Sequence, residues 1–123
     1  MADRILCLSW GRVVNGREAH SLEVFTDAVA YYGGLRQDGQ IEDLDLVIFG
    51  ANGGDVDGMM QIRGSHAQLD AMREQERFQR ILIDAQMVVE ELRIAEGWLN
   101  EGIQEPMARF QEAAAQLPHP VGA

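Results

Sequence analysis

The chain has 123 residues and a formal net charge of −10, with ten arginines and no lysine. This length is typical of one domain, and it allows a core large enough to fold without disulfides or metals. The negative charge argues against nucleic acid as a partner, because DNA and RNA are polyanions. No apolar run approaches the roughly 18 residues of a membrane span, and the first residues lack a signal-peptide pattern, so we expect neither.

The chain contains one cysteine, Cys7, so it can form no internal disulfide. We therefore expect a reducing, cytoplasmic setting. Cys7 stands between Leu6 and Leu8, and no base or cation is adjacent in sequence to activate its thiol. The simplest interpretation is a small buried hydrophobic residue.

The first two predicted elements are a strand at about residues 4–13 and a helix at about residues 19–38. The run Ile5–Trp10 is short and almost wholly apolar, and Gly11 follows it, which favours a buried strand. Ser21 is a residue type that caps helix N-termini, so we expect the helix to begin around it. Helical spacing then predicts an apolar face made of Leu22, Phe25, Val29 and Tyr32.

The middle of the chain predicts a pair of strands. Leu44–Phe49 is the clearest strand, and the turn residues 52–55 follow it. A third strand is predicted at 56–63, where alternate residues from Gly58 to Ile62 share one face.

Two further helices and a strand complete the pattern. Ser65 is predicted to cap a second helix at about 66–82. A fourth strand is predicted at about 87–99, because a short apolar run opens it. A third helix is predicted at about 104–116, with Pro106 in its first turn, where proline is tolerated.

The predicted order is β-α-β-β-α-β followed by a helix. This is the ferredoxin-like arrangement, an α+β fold with an antiparallel sheet and helices on one face. We expect a single domain over residues 1–117 and a loose C-terminal tail over 118–123.

The other face of such a sheet needs a cover, because its residues are too apolar for contact with water. Val47 and Phe49 lie on the face of the second strand opposite Leu46, and the first strand is apolar on both faces. A second copy of the chain is the predicted cover, which would give a homodimer with two-fold symmetry. The third helix, folding back over the sheet, is the alternative.

Two segments carry a resemblance to a known group of proteins. They are the strand-to-helix junction Gly58–Ser65 and the helical segment Glu76–Arg80. With the element order, they make the chain resemble the dimeric α+β barrel superfamily over most of residues 4–99. The resemblance implies a ferredoxin-like fold and a dimer. That superfamily includes cofactor-independent monooxygenases, haem-handling enzymes and stress-responsive dimers, so it implies no particular activity.

Three residues are candidates for a site. His66 follows the predicted cap of the second helix and could act as a base, although an exposed first-turn residue is the simpler interpretation. Trp10 and Trp98 fall on the predicted first and fourth strands and could line an apolar ligand pocket. The simpler interpretation is that both are plain core or interface residues, which need no ligand.

Polar residues on the strands form a second group. Asp45, Arg63 and Arg93 would be buried on the open face by dimerisation, so Asp45 should form an ion pair with Arg63 or Arg93. These three could instead form the polar end of a ligand pocket.

No pattern predicts a metal or a cofactor, because no His, Cys, Asp and Glu spacing is typical of zinc or iron. The glycine-rich loop 50–54 lacks the spacing of a phosphate loop and leads into a strand. Two functions stay open. The first is a non-catalytic homodimer that binds a small apolar or aromatic molecule. The second is a cofactor-independent enzyme of monooxygenase or isomerase type, using Trp10, His66 and Trp98.

Overall fold

The computed structural model describes residues 2–118. The predicted element order is confirmed, with one helix divided in two. The elements are β1 (Arg4–Trp10), α1 (Glu18–Gln37), β2 (Asp43–Ile48), β3 (Gly58–Gly64), α2 (His66–Glu74), α3 (Glu76–Val88), β4 (Arg93–Trp98), a 3₁₀ turn (Asn100–Ile103) and α4 (Gln104–Gln116). Of the predicted loose tail, residues 119–123 lie outside the described residues.

The four strands form one antiparallel sheet in the order β2-β3-β1-β4, as the ferredoxin-like prediction requires. Leu6 of β1 lies opposite Ile62 of β3, and both are fully buried. Because side chains alternate along a strand, the neighbouring residues Cys7 and Gln61 point to the other face. We call that other face, which lies outside the core, the open face.

The core lies between the sheet and the first three helices. Tyr32 of α1 and Phe78 of α3 meet edge to face there, with ring centroids 6.4 Å apart. Each side chain of this size removed from water contributes about 1.5–3 kcal/mol. The ten core residues are Leu6, Leu8, Tyr32, Leu35, Ile41, Met60, Ile62, Leu69, Met72 and Phe78.

The first helix spans nearly the predicted range, but the predicted capping role of Ser21 is wrong. The helix begins at Glu18, and Ser21 lies inside it, where its hydroxyl donates to the carbonyl oxygen of Glu18 at 2.7 Å. Leu22 is 67% exposed, whereas Val24 is buried. The buried face therefore keeps the predicted Tyr32 and adds Ser21 and Val24. Of the other predicted residues, Phe25 and Val29 are partly buried and only Leu22 is exposed. A serine whose hydroxyl is bonded within the helix can be buried.

The predicted second helix is interrupted at Gln75, whose backbone is extended (φ −67°, ψ 133°). Its side-chain amide accepts the Tyr31 hydroxyl at 2.5 Å and donates to the Gln40 side chain at 2.8 Å. These tertiary hydrogen bonds hold the break, and sequence periodicity does not show them. Ser65 caps α2 as predicted, through a reciprocal capping box with Gln68.

The predicted start of the fourth strand is wrong. Residues 87 and 88 belong to the last turn of α3, and the Val88 side chain is buried. The strand β4 begins only at Arg93. The apolar run at 87–89 was too short to distinguish a strand from the end of a buried helix.

The predicted third helix is confirmed as α4, and it does not cover the open face. None of its residues is buried. It is attached to the sheet at its start, where Arg4 binds Glu105 at 2.7 Å and the Asn100 side chain donates to the Ala2 carbonyl at 2.9 Å. Within residues 2–118, no helix has the length and apolar character needed to cross a membrane.

Candidate functional site

An apolar pocket of about 90 Å³ lies between the sheet and the helices α1 and α3, partly open to solvent. Trp10 forms one wall and stands edge to face with Phe25, with ring centroids 6.3 Å apart. Leu92 and Val89, in the segment between α3 and β4, also line the pocket. We call this cavity the Trp10 pocket.

A glycine allows Trp10 to occupy this wall. Gly58 lies opposite Trp10 in the β1–β3 register, and the indole ring passes directly over its Cα. A Cβ added at Gly58 would overlap the ring. The sequence therefore makes room for Trp10 by removing the facing side chain.

Tyr32, which lines this apolar pocket, carries a buried polar group. It is one of the lining residues, it is 1% exposed, and its hydroxyl has no hydrogen-bond partner among the described residues. Burial, and secondarily the neighbouring Tyr31, raises the pKa of Tyr32 far above its ordinary value. The hydroxyl therefore keeps its proton and can donate a hydrogen bond to a bound molecule.

The pocket contains little else that could perform chemistry. Apart from Tyr32, none of the described lining side chains is an acid or a base. Ser21 lines it too, but its hydroxyl already donates to the Glu18 carbonyl. The arrangement can enclose an apolar group, and it offers no acid–base pair.

A polar cluster surrounds Arg4, at the opposite end of β1 from Trp10. Its guanidinium lies 5.3 Å from the Trp98 ring centroid, a cation–π contact. It also lies 3.2 Å from Nδ1 of His66, whose Nε2 is 3.1 Å from a carboxylate oxygen of Asp70. Because a guanidinium can only donate, Nδ1 accepts, and the hydrogen on the ring lies on Nε2, facing Asp70.

Three members of this region have side chains of a kind that binds metals. One ligand atom each from His66, Asp70 and Glu96 lies within 4.8 Å of the other two, and all three residues are exposed. However, Arg73 is 3.2 Å from Glu96, and Arg4 already occupies Nδ1 of His66. A cation here would have to compete with two guanidinium groups, so the geometry favours an ion-pair network over a metal site.

The structure divides the predicted site residues between two places. Trp10 lines the pocket, whereas His66 and Trp98 lie beside Arg4 and do not line it. Sequence reasoning placed Tyr32 only on an apolar helix face. The available signal was the adjacent pair of tyrosines in one helix. Neighbouring residues on a helix point in different directions, so the two hydroxyls must lie in different environments.

The open face carries the remaining predicted residues. Arg63 contacts the Asp45 carboxylate, so the predicted ion pair is present, and Asp43 lies 3.9 Å away. Arg93 instead binds Asp55 at 3.1 Å. Cys7 is partly buried on this face; desolvation raises the pKa of its thiol, and the charge of Arg63 partly opposes that rise.

Comparison with known proteins identifies the fold. No protein-family model matches the chain, and no curated protein matches it. Solved structures do. A dimeric protein of unknown function with a ferredoxin-like fold from Bacteroides fragilis is 6% identical, with a TM-score of 0.58 over 78% of this chain and 96% of that chain.

Two enzymes show the same likeness. A hydroxynitrile lyase from Passiflora edulis is 9% identical, with a TM-score of 0.63 over 82% of this chain and 97% of that chain. A cofactor-independent oxygenase from Streptomyces nogalater is 16% identical, with a TM-score of 0.54 over 80% and 93%. Identities this low establish the fold and leave the activity open. The chain therefore has a ferredoxin-like fold, as its sequence predicted.

Proposed function

We propose that this protein is a homodimer that binds a small apolar or aromatic molecule in the Trp10 pocket without chemical change. The buried Tyr32 hydroxyl is the observation that carries the proposal. A buried hydroxyl without a partner costs roughly 1–3 kcal/mol, and a ligand that accepts its hydrogen bond removes that cost. We therefore expect a ligand with an apolar body and one acceptor oxygen, such as a carbonyl.

The size of the pocket limits the ligand. Its volume of about 90 Å³ is smaller than the roughly 150 Å³ cavity that admits benzene. A ligand with an aromatic ring would therefore extend toward the solvent-exposed side or displace a lining side chain slightly. Large polycyclic compounds do not fit this geometry.

The alternative is a cofactor-independent enzyme of oxygenase or isomerase type. The Tyr32 hydroxyl could polarise a substrate carbonyl, which is the observation in its favour. Proton abstraction also needs a base, and none of the described lining residues is one. His66, the base predicted from sequence, lies beside Arg4 instead. We therefore favour binding over catalysis.

Two matched compounds test the proposal. Acetophenone and ethylbenzene have nearly the same shape, but only acetophenone has an acceptor oxygen. We expect the wild-type protein to bind acetophenone roughly 2- to 12-fold more tightly, the ratio that corresponds to one hydrogen bond. Tyr32→Phe should abolish that preference, and Tyr31→Phe should retain it, because the Tyr31 hydroxyl is bonded to Gln75.

Calorimetry or ligand-observed NMR would measure both affinities. Equal preference in the wild-type and Tyr32→Phe proteins would refute the role of the hydroxyl. Chromatography of the recovered acetophenone tests for chemical change, and a product would contradict binding alone.

The homodimer is proposed from the open face. Val47 is 36% exposed and Phe49 42% exposed, and within residues 2–118 α4 does not cover them. Pairing of the two sheets would also bury Cys7. We expect the protein to run at twice its mass of 13.7 kDa. We also expect Cys7 to react slowly with a thiol reagent that is added after the reductant has been removed.

Val47→Asp should break this pairing and make Cys7 react much faster. Leu22→Asp, on the exposed side of α1, is the matched control and should leave the reaction rate unchanged. A fast-reacting Cys7 in the wild-type protein would refute the sheet-to-sheet dimer.

A further inference from the structure

Two alanines line the Trp10 pocket, one from each of the helices that enclose it. Ala28 lies on α1 and Ala85 on α3, and both are partly buried. On the side of the sheet, the pocket is lined by Leu8 and Met60, which lie opposite each other in the β1–β3 register and are both buried. The cavity of about 90 Å³ therefore lies between large side chains of the sheet and two helices that each contribute an alanine.

On α1, Ala28 interrupts a row of large side chains. Residues three and four apart are neighbours on one face of a helix. Phe25 stands three residues before Ala28 and Tyr32 stands four residues after it, and both line the pocket. A methyl group reaches less far from the helix than either aromatic ring, so Ala28 leaves space beside Tyr32, whose hydroxyl is buried without a partner among the described residues.

On α3, Ala85 has the same relation to its neighbours. Leu82 stands three residues before it and Val88 three residues after it, and both line the pocket. The helices α1 and α3 pack against each other. The two short side chains therefore lie on neighbouring helices and border one cavity.

Close packing of the two helices is the alternative reason for these alanines, because the distance between packed helices depends on the side chains at their contact. Alanines that served only this purpose would leave no cavity beside them. Protein interiors contain few voids larger than a water molecule, and an unfilled cavity lowers stability. Here a cavity borders both alanines, and one larger apolar side chain at either position would fill much of it. The chain thus keeps a space at a cost to its stability, as functional sites often do.

We infer that Ala28 and Ala85 keep the Trp10 pocket open and set the size of the molecule that it accepts. The statement about size rests on the proposed function, whereas the open space is a property of the ligand-free protein. With alanine at both positions, the pocket and its open side accept one ring with a short substituent. A larger side chain at either position excludes the ring.

Ala28→Leu and Ala85→Leu test the open space without any ligand. Each adds three carbon atoms to the cavity, so we expect Tm to rise by roughly 3 °C or more relative to a matched control. The control is Ala30→Leu, which is exposed on α1, does not line the pocket and measures the effect of leucine on the helix alone. Thermal unfolding followed by circular dichroism, at one fixed protein concentration, gives the three values. Ala28→Val and Ala85→Val, compared with Ala30→Val, repeat the measurement with a smaller added side chain.

The same variants test the size limit. Both pocket leucine variants should bind acetophenone roughly 10-fold or more weakly than the wild-type protein, because the leucine carbons occupy the space of the ring. Ala30→Leu should bind it as the wild-type protein does. Xenon is a second probe, since it enters apolar cavities and accepts no hydrogen bond. It should shift the NMR signals of pocket residues in the wild-type and Ala30→Leu proteins and leave them unchanged in the two pocket variants.

The outcomes separate this inference from the proposed function. Pocket variants that are less stable than their Ala30 controls, with leucine and with valine alike, would refute the inference, because the alanines would then serve close helix packing. Pocket variants that bind acetophenone as tightly as the wild-type protein would refute the size limit. Failure of the proposed function gives a different result: the wild-type protein then binds no acetophenone, while the leucine variants are still more stable than their control and have lost the response to xenon.

Discussion

Removing the hydroxyl from one of two adjacent tyrosines should raise the free energy of unfolding, and removing it from the other should lower it. The Tyr32 hydroxyl is buried without a partner, whereas the Tyr31 hydroxyl donates to Gln75 at 2.5 Å. Tyr32→Phe removes an unmet polar group, so we expect the free energy of unfolding to rise by about 1 kcal/mol. Tyr31→Phe loses a hydrogen bond and should lower it by about 0.5–1.5 kcal/mol.

Urea unfolding followed by circular dichroism, on ligand-free protein at one fixed concentration, measures both changes. For a domain of this size, 1 kcal/mol corresponds to a shift in Tm of about 3–6 °C. A Tyr32→Phe protein that is destabilised as much as Tyr31→Phe would refute the reasoning, because it would show that the Tyr32 hydroxyl is satisfied.

Alkaline pH gives an independent measurement of the same group. Burial raises the pKa of Tyr32 in the folded protein above the ordinary value of 10.0. Its contribution to stability is therefore complete below pH 10 and is lost as the pH rises, because the unfolded chain releases the proton first. The alkaline loss of stability should be shallower in Tyr32→Phe than in the wild-type protein.

Two further predictions concern the pocket wall and a surface ion pair. Gly58→Ala should lower the free energy of unfolding by about 1–3 kcal/mol, because the new Cβ overlaps the Trp10 ring. Gly34→Ala, in α1 with open space around it, should instead raise it by up to about 1 kcal/mol. Arg93 lowers the pKa of Asp55 by a hydrogen bond and by its charge. The stability that this pair contributes is therefore complete above the ordinary pKa of an aspartate, and it is lost as acid protonates Asp55. The difference in urea midpoint between wild type and Arg93→Gln should therefore shrink below about pH 4, and a constant difference would contradict this.

The fold was predictable where local signals agreed with the tertiary structure. The cap of α2 at Ser65 was predictable because all parts of its capping box lie within four consecutive residues. The break at Gln75 was not predictable, because Tyr31 and Gln40, which hold it, are distant in sequence. The end of α3 at Val88 was missed because an apolar run of three residues fits a helix end and a strand equally well.

The candidate site was predictable in part. Trp10 was a candidate because a large aromatic residue on an apolar strand can line a ligand pocket, and the structure places it on the pocket wall. Tyr32 could not be recognised as the polar group of the pocket, since its helical position looks the same whether its hydroxyl is bonded or not. The separation of His66 from Trp10 depends on which end of β1 each residue lies near, and sheet register decides that.

The attachment of α4 has a practical consequence for handling the protein. The carbonyls of Ala2 and Asp3 accept hydrogen bonds from Asn100 and Leu99, and Gly102 packs directly against Asp3. Residues before the first strand thus form the seat of the C-terminal helix. An affinity tag fused in front of Ala2 would crowd that seat and could change how copies associate.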